Sequence, residues 1–142
     1  MNPVLFHIAF PVANIHETKT FYVDGLGCQE GRETAKALVL NLYEHQIIAH
    51  VVSEPIECQK GIYPRHFGLV FTAEFDWKCL LNRVRSRQLK FYQEPRCRFS
   101  DSLIEHRTFF LEDPFKNLLE FKYYCHSEAI FETRELSLIG DV

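Results

Sequence analysis

The first third of the chain combines a long apolar run, a helix signal and several short alternating runs. Residues 4–12 are apolar, rich in Phe and β-branched near both ends, which predicts a strand buried on both faces. A helix is predicted next, because Asn14 and Glu17 have the spacing of a capping box and Gly25-Leu26-Gly27 provides a helix stop. Three short extended runs follow, at roughly 28–33, 36–43 and 46–52. The predicted order of this part is β-α-β-β-β.

The same order of elements returns in the second half. Residues 53–64 contain two Pro, a Gly and several charges, which predicts a linker. A strand at 65–72 and a helix over about 74–88 are predicted after it. The buried stripe of this helix has spacing i, i+3, i+4, i+7 and consists of Trp77, Leu80, Leu81 and Val84. Extended runs recur near 89–93, 106–112 and 117–124, and we predict an irregular loop over the polar stretch 94–104.

The repetition predicts an α+β fold built from two βαβββ modules. Neither half alone could bury its sheet face, whereas two copies can do so by pairing around a pseudo-twofold axis. We expect a single domain with module one at about 4–52, the linker at 53–64, module two at about 65–124 and a C-terminal tail at 125–142. The linker permits closure within one chain or exchange of modules between two chains, so a homodimer is one of the two expected states.

Four polar residues interrupt strands at positions where apolar side chains are expected: His7, His50, His66 and Glu120. An ionised carboxylate inside a strand costs several kcal/mol unless it is paired or bound to a cation. Lys122, two residues along on the same strand face, is the simple ion-pair partner for Glu120. The pseudo-twofold axis instead maps His7 onto His66 and His50 onto Glu120, which would make all four converge on one point.

This convergence predicts a metal site. A single buried His is more often a hydrogen-bonded core residue than a ligand, but two His at equivalent repeat positions and a buried Glu favour a ligand set. Imidazole nitrogens and a carboxylate oxygen around an open site suit Fe(II), Mn, Zn or Ni. His50 is a fourth ligand, a general base or a support for the ligands. Glu105 and His106, at the start of a predicted strand, are weaker candidates for catalytic residues.

Composition argues against several other classes of protein. The net charge of -3 gives no electrostatic footprint for nucleic acid or an anionic membrane. No apolar run approaches the ~18 residues that a transmembrane helix needs. The five Cys are scattered without a CxxC pair, which argues against a disulfide framework and a zinc ribbon and makes a reducing, cytoplasmic location the default expectation. Thirteen Phe and six Tyr imply an aromatic interior, part of which could line a cavity for a small-molecule substrate.

Two stretches resemble a known family. FHIAFPVANIHETKTFYVDGLGCQEG is similar to the opening of the glyoxalase / bleomycin-resistance / extradiol-dioxygenase proteins, the vicinal oxygen chelate superfamily. FFLEDPFKNLLEFK is similar to the family's strand-DPxGN-strand signature, which ends in a metal-binding Glu. The resemblance covers about residues 4–124 and implies paired βαβββ modules that curl into a mixed half-barrel sheet around a divalent metal, with the helices outside.

The resemblance also implies a ligand set. The family's ligands fall on His7, His66 and Glu120, and the fourth-strand position of the first module falls on His50, where metal-binding glyoxalases usually carry Glu. The turn at residues 115–117 also departs from the family, which often has a Gly there. The GCQEGR stretch and the segment 105–108 look closest to dioxygenase-like members.

The first functional hypothesis is therefore a metal-dependent, extradiol-dioxygenase-like oxidoreductase. His7, His66 and Glu120 would form a two-His-one-carboxylate face on Fe(II), which leaves positions open for a bidentate diol or aromatic substrate and O2. His50 could shuttle a proton, and Mn, Ni, Co and Zn are the alternative metals. The same site could support glyoxalase, isomerase or lyase chemistry on an enediolate. A module of the bleomycin-resistance type, which binds a small molecule without metal or catalysis, is the third hypothesis, although such relatives typically lack these ligands.

Overall fold

Eight strands in the described part of the chain, residues 2–132 and residue 139 of this computed structural model, form two four-stranded sheets. The first sheet has the order β1-β4-β3-β2 and is formed by β1 (His7–Val12), β2 (Gln29–Glu33), β3 (Ala37–Leu42) and β4 (His45–Val51). The second has the order β5-β8-β7-β6 and is formed by β5 (Phe67–Phe71), β6 (Phe91–Arg98), β7 (His106–Glu112) and β8 (Leu118–Tyr124). In each sheet the first strand is parallel to the fourth and the other pairs are antiparallel. The predicted pair of βαβββ modules is confirmed, and the sheets are not closed into a barrel.

The helix of the first module begins as predicted but changes its winding. Asn14 caps α1 (Ile15–Thr18): its Oδ1 accepts from the backbone N–H of Glu17 at 2.8 Å, and its amide donates to the Glu17 carboxylate at 2.6 Å. The next turns, Lys19–Gly25, are π-helical. The hydroxyls of Thr18 and Thr20 donate to carbonyls four residues back, and such contacts compete with the regular backbone ladder.

The helix of the second module, α2 (Glu74–Ser86), packs on its sheet through the predicted stripe. Its buried residues are Trp77, Leu80, Leu81 and Val84. The indole N–H of Trp77 donates to the carbonyl of Phe121 on β8 at 2.8 Å. The odd-numbered residues of β8 pack with this helix in the main core, so they face it. We call the opposite face of each sheet, which points away from its helix, the open face.

The two modules share one hydrophobic core within the chain. Phe10 of β1 and Phe67 of β5 have ring centroids 5.2 Å apart, on the helix sides of their sheets. The side-chain amide of Asn117 donates to the carbonyl of Pro11 at 2.8 Å, which links the turn before β8 to β1. These contacts hold the two modules against each other.

Strand β6 extends further than the sequence pattern predicts. It continues to Arg98, into the stretch that we predicted as a loop, and only the remaining residues up to the start of β7 are irregular. Pro95 is compatible with a strand here because β6 is the edge strand and because its pairing with β7 shifts register between Gln93 and Arg96. In the tail, a 3₁₀ turn covers Ser127–Ile130. No helix among the described residues is long and apolar enough to cross a membrane.

Candidate metal centre

Glu120 lies on the open face of the second sheet, between β5 and β7. Its register partners are Gly68 on β5 and Phe110 on β7. A Cβ atom at position 68 would lie 1.7 Å from the backbone oxygen of Glu120, so β8 approaches β5 too closely for any side chain there. The space beside Gly68 on this face is therefore occupied by the backbone of Glu120.

The carboxylate of Glu120 is buried, with 8% of the residue exposed, and both oxygens have partners. Its Oε1 lies 3.1 Å from His66 Nε2 and 3.7 Å from Lys122 Nζ, and its Oε2 accepts a hydrogen bond of 2.6 Å from the hydroxyl of Thr108. Burial raises the pKa of Glu120, but His66, Lys122 and Thr108 outweigh that effect, and the net pKa is lowered. The carboxylate is thus an ionised acceptor, and Lys122 is its more distant partner.

His66 is oriented so that one ring nitrogen faces Glu120. Its Nδ1 lies 2.7 Å from the carbonyl oxygen of Ile62, so Nδ1 carries a proton and Nε2 is the nitrogen available to a metal. The hydrogen bond with Glu120 raises the pKa of His66 more than burial lowers it. Adjacent ligands of an octahedral ion with bonds of about 2.1 Å lie about 3 Å apart, which matches the Nε2 to Oε1 separation. The pair therefore fits two neighbouring ligands of one divalent ion.

His7 shows the same local arrangement on the open face of the first sheet. It is exposed, and its Nδ1 lies 2.7 Å from Oε1 of Gln46, its register partner on β4. Metal-binding His residues commonly have their second ring nitrogen held in this way. Within residues 2–132 and 139, however, no three His, Cys, Asp or Glu side chains are close enough to hold a metal ion. A single chain brings His66 and Glu120 together and leaves His7 elsewhere.

The strand registers correct the equivalence between His50 and Glu120. Ala9 pairs with Ile48 in the first sheet as Gly68 pairs with Glu120 in the second, so Ile48 occupies the position equivalent to Glu120. His50 lies two residues further, opposite Pro11. A slip of two residues keeps a side chain on the same face of a sheet, so the alternation pattern cannot reveal it. His50 is exposed on the open face that also bears His7.

A cavity of about 480 Å³ opens on the second sheet beside His66 and Glu120. Its aromatic lining includes Tyr63, Phe99, Phe110 and Tyr124. His106 also lines it and is buried, with its Nδ1 3.0 Å from the carbonyl oxygen of Ile104. Burial lowers the pKa of His106, so its imidazole is neutral at neutral pH.

Glu105 has a different environment from His106. Its Oε1 accepts from the backbone N–H of Asp101 at 2.7 Å, and its Oε2 accepts from the thiol of Cys125 at 3.3 Å. The bond from Asp101 is the main reason that the pKa of Glu105 is lowered. These contacts hold the loop between β6 and β7 against the end of β8.

Two supporting residues were missed by sequence reasoning. Thr108 donates to Glu120, and Gln46 accepts from His7. Thr108 could have been noticed as a hydroxyl in the otherwise Phe-rich run of β7, on the same face as His106. Gln46 gives no comparable signal, because a polar residue at the start of a strand is ordinary.

Comparisons with known proteins concern the family and the fold. The profile of the Glyoxalase/Bleomycin resistance protein/Dioxygenase superfamily matches residues 4–121. None of the curated proteins matches the chain. A solved glyoxalase/bleomycin resistance protein/dioxygenase from Alicyclobacillus acidocaldarius is 34% identical, with a TM-score of 0.86 over 90% of this chain and 96% of that one.

Two more distant structures share the fold. The genomically encoded fosfomycin resistance protein FosX from Listeria monocytogenes is 16% identical, with a TM-score of 0.68 over 91% of this chain and 99% of that one. A lactoylglutathione lyase from Agrobacterium tumefaciens is 12% identical, with a TM-score of 0.63 over 86% of this chain and 94% of that one. At these identities the likeness concerns the fold alone.

Proposed function

Because this chain belongs to the glyoxalase/bleomycin resistance protein/dioxygenase superfamily, we propose that it is a divalent-metal-dependent enzyme acting on a small, oxygen-chelating substrate. The observation that supports this most directly is the pair of His66 Nε2 and Glu120 Oε1, 3.1 Å apart beside a cavity. Each of the two is held by a further hydrogen bond, from Thr108 to Glu120 and between His66 and the Ile62 carbonyl. A pair of donors that is pre-oriented in this way is typical of metal ligands.

In this proposal the third ligand is His7 of a second copy of the chain. A twofold dimer that apposes the open face of one first sheet to the open face of the other second sheet would complete two identical sites. The segment next to His7 favours such a contact: Val4, Leu5 and Phe6 are 86%, 57% and 59% exposed. Phe6 is nevertheless held in line with β1, because its N–H donates to His45 and its carbonyl accepts from Gln46. Ordered apolar side chains in solvent indicate a surface that a partner covers.

A bound divalent cation would supply Lewis acidity and a template for two substrate oxygens. The residues of the chain then have separate tasks. Thr108 keeps Glu120 oriented, and the Ile62 carbonyl keeps Nδ1 of His66 protonated. The neutral imidazole of His106 is our candidate for accepting a proton from the substrate. His50 of the second copy, on the same open face as His7, would approach the cavity from the opposite wall.

Within this class we propose an extradiol-type dioxygenase that uses iron, because the cavity has aromatic walls suited to an aromatic diol. Tyr63, Phe99, Phe110 and Tyr124 all line it. Isomerase or lyase chemistry on an enediolate at the same ligands, and binding of a small molecule without catalysis, are the alternative outcomes of the test below.

The test is elemental analysis of protein purified without a metal-chelating tag. We expect about one divalent metal ion per chain in the wild-type protein, none in Glu120→Ala, and full occupancy in His16→Ala, which removes an exposed His on α1. Wild-type protein without metal, and without thermal stabilisation by Fe, Mn, Ni, Co or Zn, would refute the metal proposal. With iron bound, oxygen uptake on a panel of catechols supports the dioxygenase. Turnover of an enediolate precursor without oxygen uptake would support the isomerase or lyase instead.

A further inference from the structure

The open face of the second sheet bears cationic side chains at defined steps from Glu120, and they have no role in the proposed ligand set. We propose that the substrate is an anion: it bears a carboxylate or similar oxyanion, separate from its chelating oxygens, that binds Lys122 and Arg98. This inference rests on the proposed function for the position of the chelating end, and it adds the chemical class of the substrate.

Strand registers place these side chains in rows. On β8, Glu120, Lys122 and Tyr124 share the open face, and successive members lie about 6.6 Å apart along the strand. Lys122 pairs with Thr108 on β7 in the second row. In the third row Tyr124 pairs with His106, which pairs with Arg98 on β6. A substrate that chelates a metal at the first row therefore extends over Lys122 toward Arg98.

Lys122 is suited to an anion that arrives beside the metal. Its ammonium group lies 3.7 Å from Glu120 Oε1 and 5.2 Å from the centre of the Tyr124 ring, and its side chain is 26% exposed. A divalent cation on Glu120 would repel this ammonium group at short range. An oxyanion of the substrate next to Lys122 removes that conflict, because it attracts both positive charges.

Arg98 extends the positive region. Its guanidinium lies 4.9 Å from the centre of the Phe99 ring, and both residues line the cavity. Among the described lining residues the acidic side chains are Glu120 and Glu132, which balance Lys122 and Arg98. His106 is neutral because burial lowers its pKa. A divalent ion would add two positive charges beside these described residues, and an anionic substrate offsets that added charge better than a neutral one.

A simpler role for Lys122 is to stabilise the ionised Glu120. That role predicts a change in stability when Lys122 is replaced, but no change in the relative affinity for neutral and anionic ligands. If Lys122 instead binds an anion of the substrate, replacing it should change the relative affinity for anionic and neutral ligands. The test therefore compares two chelators that differ by one carboxylate.

The probes are catechol and 3,4-dihydroxybenzoate, titrated calorimetrically into protein loaded with Zn²⁺, which is redox-inert. The wild-type protein should bind 3,4-dihydroxybenzoate at least about tenfold more tightly than catechol, as expected for a partly buried, charge-assisted contact. Lys122→Gln and Arg98→Gln should each reduce this preference severalfold, whereas Lys122→Arg should retain it. Arg87→Gln, at the exposed end of α2, is the matched loss of a positive charge and should leave the preference unchanged.

Equal affinities for the two probes in the wild-type protein, or an unchanged preference in both Gln variants, would overturn the inference while leaving the metal site standing. If Zn²⁺ does not bind, the proposed function fails instead. Anion binding by Lys122 and Arg98 can then still be tested in the metal-free protein. In that case benzoate should bind more tightly than benzyl alcohol, and Arg98→Gln should remove the difference. Equal binding of these two would overturn the inference.

Discussion

Tyr22 and Asp113 form a buried hydrogen bond between the modules, with the Tyr hydroxyl donating to Oδ2 at 2.6 Å. Tyr22 belongs to the first of the two stretches that resemble the family. Asp113 belongs to the second stretch, in the turn before β8, 91 residues later. The other oxygen of Asp113 accepts from the backbone N–H groups of Phe115 and Asn117, at 2.8 Å each. The two stretches that resemble the family thus contact each other, away from the proposed metal site.

Replacing Tyr22 by Phe tests this connection. We expect the free energy of unfolding to fall by about 1–2 kcal/mol, because a buried carboxylate loses one donor. Urea denaturation measures the change, with Tyr92→Phe on the edge strand β6, 38% exposed, as the control. Zn²⁺ affinity should stay the same. An unchanged unfolding midpoint would show that the hydrogen bond between Tyr22 and Asp113 does not stabilise the packing of the two modules.

Gly68 is expected to tolerate no side chain. In Gly68→Ala the added Cβ would lie 1.7 Å from the backbone oxygen of Glu120. Strands β5 and β8 must therefore separate next to the proposed ligands His66 and Glu120. We predict a loss of about 2–4 kcal/mol of stability, typical of severe overpacking, together with a clear loss of metal affinity. Gly61→Ala is the matched control, since a Cβ there meets nothing within 4 Å. If Gly68→Ala were as stable as this control, the close approach of the two strands would be refuted.

The ion pair of His66 and Glu120 predicts how the metal-free protein depends on pH. Glu120 raises the pKa of His66. The stability that the charged His66 contributes is therefore complete below the pKa of the unfolded state, about 6.5, and is lost as the pH rises through the pKa of the folded state. The net pKa of Glu120 is lowered. The stability that the ionised Glu120 contributes is therefore complete above the pKa of the unfolded state, about 4.3, and is lost as the pH falls through the pKa of the folded state. The pair therefore stabilises most between these two values.

Urea denaturation in the presence of a chelator measures this effect. The stability difference between the wild-type protein and His66→Gln should be larger at pH 5.5 than at pH 8.5, because the neutral imidazole no longer forms an ion pair. His16→Gln, on exposed α1, corrects for general effects of pH on the chain. A difference that grows from pH 5.5 to pH 8.5 would contradict the assigned direction of the shift.

The sequence allowed the module order and both helices to be predicted, because these depend on local periodicity and caps. The first strand was predicted to be buried on both faces, but His7, Ala9 and Pro11 are exposed and only the other face packs on the core. The equivalence of His50 and Glu120 failed, since a slip of two residues leaves the pattern of faces unchanged. The separation of His7 from the pair of His66 and Glu120 could not be predicted either. It depends on how two sheets are placed in space, and periodicity along one chain contains no information about that.

The five thiols should differ in reactivity according to burial. Cys28 is buried, and burial raises its pKa to about 12, so it contains almost no thiolate at pH 8. The exposed thiols are Cys58, Cys79 and Cys97. We expect iodoacetamide to modify these three first, Cys125 more slowly, and Cys28 only after unfolding, as measured by peptide mass spectrometry. Rapid modification of Cys28 in folded protein would show that the first module opens readily.

The proposed sharing of the metal site between two chains makes a quantitative prediction. His7→Ala and Glu120→Ala should each abolish metal binding, because each removes one ligand from every site of a homodimer. When the two variants are co-expressed in equal amounts, half of the dimers are mixed. Each mixed dimer then has one site with both ligands missing and one site that is intact. The pooled protein should therefore recover about a quarter of the wild-type metal content.

Elemental analysis of the pooled protein, with a non-chelating tag, measures this recovery. Co-expression of Glu120→Ala with His66→Ala is the control and should recover nothing, because both lost ligands belong to the same module and each site of the mixed dimer lacks one of them. If His7 joined His66 and Glu120 within one chain, the mixture of His7→Ala and Glu120→Ala would also recover nothing, since neither chain would hold an intact set. Recovery in the first mixture alone therefore distinguishes a site shared between chains from one closed within a chain.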